Sequence, residues 1–198
     1  AAILRREHGV DDGWRIASVE LIEPSKSDLA AFDDGGPTPP RRAAVICLNR
    51  AENATYKGAV SLTDDRVETF DHVPGVQANF TVDEFVECDE VLRNHPDVIA
   101  ALAKRGITDM DNVFMDTWTY GDAVAPPEYR DRRIGWSDTW YKDAPGANPY
   151  AHPVSGLHCV IDLNTMELLR IEDDGSSESP DVMGEYVPRH IPERIRSA

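Results

Sequence analysis

The chain has 198 residues, 41% of them hydrophobic and 28% charged, an ordinary globular balance with no apolar run long enough to span a membrane. Twenty Lys and Arg against 36 Asp and Glu give a net charge of −16. That charge repels nucleic acid phosphates and anionic lipid surfaces and favours a cationic ligand such as an amine.

In chain order, the opening AAILRREHG has neither an initiator Met nor a signal-peptide layout. It reads as the tail of an amphipathic helix over residues 1–8, in a chain that is a fragment of something longer. WRIASVELIEP then reads as a strand, residues 33–40 as a Pro/Gly-rich loop, RRAAVICLNRAE as a second strand and YKGAVSLTDDRVETFDHV as a hairpin. Thr81 followed by Glu84 is a capping-box start. Val82, Phe85, Val86, Leu92, Val98, Ile99 and Leu102 carry an apolar stripe at roughly helical spacing. Pro96 fits the first turn of a restarted helix and Gly106 its end, so residues 81–105 are expected to be helical with a break near His95. NVFMDTWTYGD and RIGWSDTWYKD read as strands separated by the loop AVAPPEYRDR. GLHCVIDLNTMELLRIEDDG reads as a hairpin turning near Asn164 and Thr165. The stretch after 175, with three prolines and no hydrophobic period, reads as an extended linker.

The two halves repeat one plan, a helix followed by an antiparallel meander, with LHCVIDLNTMELLRIED matching YKGAVSLTDDRVETFDHV in shape. The expectation is an α+β protein of two consecutive units, residues 1–80 and 81–174, followed by the linker 175–198. A helix on one face of an antiparallel sheet buries that face.

Catalytic machinery is not legible. The six histidines are scattered; His152 and His158, the closest pair, would stand about 20 Å apart along a strand, against metal–ligand bonds of about 2 Å. Cys47, Cys88 and Cys159 form no CxxC pair, which disfavours a zinc knuckle or disulfide framework and points to a reduced, intracellular chain. There is no GxSxG elbow and no phosphate-cradling glycine loop. His158 and Cys159 are adjacent, but neighbours in a strand point to opposite faces. The distinctive feature is aromatic: Trp118, Tyr120, Trp136, Trp140, Tyr141 and Tyr150 fall within 33 residues. They form either the core of the second sheet or an outward face suited to an organic amine.

GANPYAHPVSGLHCVIDLNTMELLRIED resembles the end of the third small N-terminal domain of the copper-containing amine oxidases. There an aromatic-Ala-His/Arg-Pro-x-x-Gly-Leu stretch precedes a strand hairpin. TVDEFVECDEVLRNHPDVIAALAKRGI is similar to the helix that opens that domain, and GWRIASVELIEPSK to the domain before it. The resemblance implies two cystatin-like α+β units preceding a large catalytic domain. That absent domain would hold copper on three histidines and a topaquinone made from one of its own tyrosines. The parent would be a homodimer that oxidises primary amines to aldehyde, ammonia and hydrogen peroxide.

The present chain departs from the catalytic pattern: none of its tyrosines follows Asn, as the quinone precursor does, and it has no His-x-His pair. It is therefore expected to be inactive alone, without catalytic, cofactor-binding or metal residues of its own. By the resemblance, Phe85, Trp118 and Tyr150 would line the substrate funnel. Pro149 and Pro153 would stiffen the backbone around Tyr150, and Gly156 would allow a sharp entry to the next strand. The expected partners are its own catalytic domain, a second copy in the full-length protein and a primary amine, with no nucleic acid and no membrane; the expected location is cytoplasmic. The competing reading is a free-standing cystatin-like binding or inhibitor module.

Overall fold

The computed structural model describes residues 1–121, 125–142 and 146–175. The chain divides into two compact units, Ala1–Thr81 and a second beginning at Val82. Each unit carries a four-stranded antiparallel meander, which makes the fold α+β as expected. The reading of 175–198 as a linker lies, Gly175 apart, outside the described residues.

In the first unit, α1 (Ala2–His8) precedes β1 (Trp14–Ile22), β2 (Arg42–Asn49), β3 (Ala54–Ser61) and β4 (Arg66–His72), in the order β1-β2-β3-β4. Gly9 ends α1 at φ 65°, its N–H bonding back to the Arg5 carbonyl and that of Val10 to the Leu4 carbonyl, a left-handed cap that glycine adopts without penalty. Leu4 drops from the helix onto Val10, Val45, Cys47 and Val60 to form the core, flanked by Trp14, Tyr56 and Phe70. At seven residues the helix is about 10 Å long and covers only part of the sheet. Val19 and Leu21, paired with the buried Val45 and Ala43, remain 61% and 65% exposed.

A further helix, α2 (Lys26–Asp33), stands between β1 and β2, where the sequence reading placed none. Ser25 and Asp28 close a reciprocal capping box at its start, satisfying two N–H groups that the helix would leave orphaned. No residue of α2 is buried, so it lacks the apolar stripe by which helices are recognised.

The second unit opens with α3 (Val82–Arg93) and α4 (Pro96–Ala103). The break falls at His95, whose ring accepts the Asp97 N–H as an N-cap while Pro96 occupies the first turn. The strands β5 (Val113–Thr119), β6 (Ile134–Tyr141), β7 (Pro153–Asp162) and β8 (Glu167–Asp173) follow in that spatial order. Met115, Thr117, Ser137, Thr139, Leu157, Cys159 and Ile161 are buried. They share the sheet face with Arg133, by strand alternation and register. Arg133 is also where α3 is tied down: its guanidinium donates to both carboxylate oxygens of Glu84, at 2.7 and 3.0 Å, with both side chains buried. Glu84, read from the sequence as half of a capping box, thus anchors the helix to the sheet.

The repeat extends to fine detail in the two hairpins. Both carry a register irregularity just before the turn, at Ala59/Val60 and at Val160/Ile161. In both the last residue of the first strand accepts backbone N–H groups of the turn. Ser61 Oγ takes Asp64 N–H, and Asp162 Oδ1 takes the N–H groups of Asn164 and Thr165. Both turns close on a left-handed residue, Asp65 at φ 53° and Met166 at φ 58°.

Candidate functional site: a braced aromatic face

The sheet face of the second unit opposite Arg133 is built by strand alternation. Phe114, Asp116 and Trp118 of β5 stand opposite Trp140, Asp138 and Trp136 of β6. His158 of β7 pairs with Asp138 and Glu172 of β8 with His158. Aromatic and acidic side chains therefore share one surface.

Several of its polar groups are paired across the strands. His158 stacks on Trp136 with ring centroids 4.4 Å apart, and its Nδ1 lies 3.0 Å from Asp138 Oδ1. The Trp136 indole N–H donates to Glu172 at 3.3 Å, and Arg170 sits over the Tyr129 ring at 5.8 Å. His158 lies on this partly open face while its neighbour Cys159 is fully buried on the other. The other close histidine, His152, caps the short turn Pro149–Ala151.

That turn delivers Tyr150. Asn148 accepts the Tyr150 N–H at 3.1 Å, Pro149 fixes the first position of the turn and Ala151 is buried beneath it. The Tyr150 ring meets Trp140 at 5.0 Å and Phe114 at 5.7 Å, both edge-on, a favoured arrangement for aromatic pairs. Phe114 in turn contacts Phe85 of α3 at 5.7 Å. Trp118 is 60% and Tyr150 50% exposed. The structure thus gathers Phe85, Trp118 and Tyr150 around two residues the sequence reading did not single out, Phe114 and Asp116.

Asp116 lies between Phe114 and Trp118 on this face. It is only 4% exposed. Burial pushes its pKa above the usual aspartate value; the polar tips of Trp118 and Tyr150 oppose this and the nearby Asp138 charge adds to it. The Tyr150 hydroxyl is raised as well, by burial and then by the Asp116 charge. Asp116 Oδ1 and Trp140 Nε1 are both buried without a hydrogen-bond partner.

Aromatic rings sharing a face with carboxylates are the kind of surface that attracts organic cations by quadrupole and charge; they offer no nucleophile paired with a base. Among the described residues no group of three or more His, Cys, Asp or Glu side chains could hold a metal ion.

Two α+β units in tandem, the second bearing this aromatic face, define a small-domain pair whose class is visible in comparisons with known proteins. The description "Copper amine oxidase, N3 domain" matches residues 83–185, and "AGAO-like N2 domain" matches residues 1–70. The chain belongs to the copper amine oxidase family, of which it carries the N2 and N3 domains. It is 34% identical over 193 residues to a primary amine oxidase of Arthrobacter sp. (strain P1), covering 97% of this chain and 29% of that protein. A copper-containing diamine oxidase of Nicotiana tabacum is 32% identical over 83% of this chain and 25% of its own length. The chain thus spans less than a third of these relatives. Among solved structures, the copper-containing benzylamine oxidase of Hansenula polymorpha shares the fold. Its TM-score is 0.67 at 20% identity, over 93% of this chain and 31% of that one. The copper and quinone that this family implies do not fit the residues present: no metal-holding group exists among the described residues and no tyrosine follows Asn.

Proposed function

We propose that this chain is the non-catalytic N-terminal region of a copper- and topaquinone-dependent oxidase. The parent converts primary amines to aldehyde, ammonia and hydrogen peroxide. Residues 1–80 and 81–174 are its two small domains, and 175–198 is the extended link to the catalytic domain. The region packs on that domain within a homodimer, and Phe85, Trp118 and Tyr150 line the substrate funnel.

The observation that carries this reading is the aromatic patch of Trp118 and Tyr150, exposed at 60% and 50%, in a chain that aligns with under a third of its relatives. Large rings at this exposure on a rigid sheet suit a surface that meets a ligand or another domain. The net charge of −16 opposes nucleic acid and favours a cationic substrate. No helix among the described residues is long and apolar enough to cross a membrane; a cytoplasmic location belongs to the proposal.

The test is enzymatic. The 198-residue polypeptide should release no peroxide from phenethylamine, tyramine or methylamine and retain no equimolar copper after dialysis. The product of the complete reading frame should do both. A reading frame that ends at Ala198, or continues without an Asn-Tyr-Asp/Glu and a His-x-His, would leave the free-standing binding module as the better account. In the complete enzyme, Tyr150→Ala should shift KM for bulky amines with quinone formation intact, because the residue would touch substrate and not cofactor.

A further inference from the structure

Between the Asp138–His158 and Trp140–Pro153 pairs, β6 contributes the single residue Thr139 while β7 contributes residues 154–157. The extra residues make a bulge, and a bulge re-aims the chain on either side of it. Just before it lies the turn Pro149–Ala151 that carries Tyr150. Within it Gly156 holds φ +66°.

Arg105, just past the end of α4, reaches this bulge. Its Nη2 donates to the Gly156 carbonyl at 3.1 Å and to Asp173 Oδ1 at 2.7 Å, and its Nη1 donates to the Ala101 carbonyl at 3.3 Å. Asp173 is the last residue of β8. The same two acceptors hold the chain as it leaves the sheet. The Gly156 carbonyl takes the Asp174 N–H at 2.9 Å, and Asp173 Oδ1 takes the Gly175 N–H at 3.2 Å. One guanidinium therefore joins the start of β7 to the end of β8. Its side chain is only 8% exposed, a burial that costs desolvation where an apolar residue would pack at less expense. What Arg105 contributes in return is geometric.

We propose that Arg105 is a positioning residue for amine recognition: it pins the Gly156 bulge to the exit of β8, and so fixes the Tyr150-bearing turn relative to the link toward the catalytic domain. The proposal rests on the funnel reading above and deepens it. A bulge has few ladder bonds of its own, so without the guanidinium it shifts and the turn moves with it. A ring held in place before binding loses little freedom when the ligand arrives. The loss therefore falls on KM for amines large enough to touch Tyr150. A small alkylamine escapes it.

The junction is read by amide exchange in the 198-residue protein. Arg105→Met keeps the stem and removes every donor, and should speed exchange at Asp174 and Gly175 on the order of tenfold. The Met115 amide, held by Asp89, should not change, and Arg105→Lys should restore part of the protection. The consequence is read in the complete oxidase. Arg105→Met should raise KM for phenethylamine about threefold or more relative to methylamine, with kcat and quinone content little changed. Should Arg105→Met fail to fold, Asp173→Ala removes the other half of the ion pair and should give the same KM-against-kcat split. Unchanged exchange at Asp174 and Gly175 overturns the proposal. So does an equal loss for both amines, which marks a residue that serves stability alone. If Tyr150→Ala leaves every KM unchanged, the funnel reading falls and the role of Arg105 falls with it. If Tyr150→Ala shifts KM for phenethylamine while neither Arg105→Met nor Asp173→Ala does, the funnel stands and the positioning role is wrong.

Discussion

Arg133 and Glu84 form an ion pair buried on both sides, so each charge depends on the other for its solvation. Removing one partner strands the other in a low-dielectric site, which typically costs about 3–5 kcal/mol. Arg133→Met should lower the urea midpoint accordingly, and adding Glu84→Leu should recover much of the loss. Asp116 gives the opposite kind of signature. Its folded pKa is raised above the unfolded value, so the native state holds the proton more tightly, and this contribution to stability fades as pH rises from the ordinary aspartate range through the raised folded value. Asp116→Asn should therefore gain stability relative to wild type as pH rises through that window, as paired urea titrations would register. Neither residue was legible as functional in the sequence. Asp116 is one carboxylate among 36 acidic residues, and only the fold brings it near Tyr150. Phe85, Trp118 and Tyr150 were singled out through the family resemblance. Strand alternation in FMDTW places Phe114 and Asp116 on the face of Trp118, the signal in the sequence that points to them.

The elements that declared themselves in the sequence did so through backbone chemistry. Pro96, which cannot donate an N–H, marked the helix break at His95, and the polar run at Asn164 and Thr165 marked the hairpin turn. What stayed hidden lacked an apolar period: α2 buries nothing and is announced only by Ser25 and Asp28. Its cap is correspondingly decisive. Ser25→Ala should cost about 1 kcal/mol locally, seen as faster amide exchange over residues 26–33 with little change in global unfolding. Gly156 is the stricter case. It sits inside β7 at φ +66°, and a Cβ there would stand 2.3 Å from the Gly175 carbonyl oxygen. Its own carbonyl accepts from Asp174 N–H at 2.9 Å and from Arg105 at 3.1 Å. Gly156→Ala should destabilise the unit by at least about 1–3 kcal/mol, because a left-handed φ and a backbone clash are imposed together. Thermal melting would measure it.

At the scale of the molecule, the sequence disclosed the internal repeat because one hairpin appears twice with the same turn logic. It could not disclose how unevenly the helices shelter their sheets. In the second unit α3 is pinned by the Glu84–Arg133 pair and Asp89 accepts the Met115 N–H of edge strand β5 at 2.9 Å, a guard against edge-to-edge pairing. In the first unit the seven-residue α1 leaves Val19 and Leu21 of edge strand β1 uncovered. Val19→Lys with Leu21→Thr should therefore leave the melting temperature of the 198-residue protein nearly unchanged while raising its solubility limit.

None of the three cysteines forms a disulfide and all are fully buried, and burial pushes the thiols of Cys47 and Cys159 up to about 11 and about 12. Attack on peroxide requires the thiolate, which at those values is nearly absent at neutral pH. An oxidase of the kind proposed generates an oxidant with every turnover, and a sulfur-bearing domain beside the source would otherwise be its first casualty. These cores are inert to it by acidity as well as by access. A chromogenic disulfide reagent should find no reactive thiol in the native protein and three once urea opens it. Millimolar hydrogen peroxide should leave the native thiols intact, with oxidation confined to the unfolded fraction.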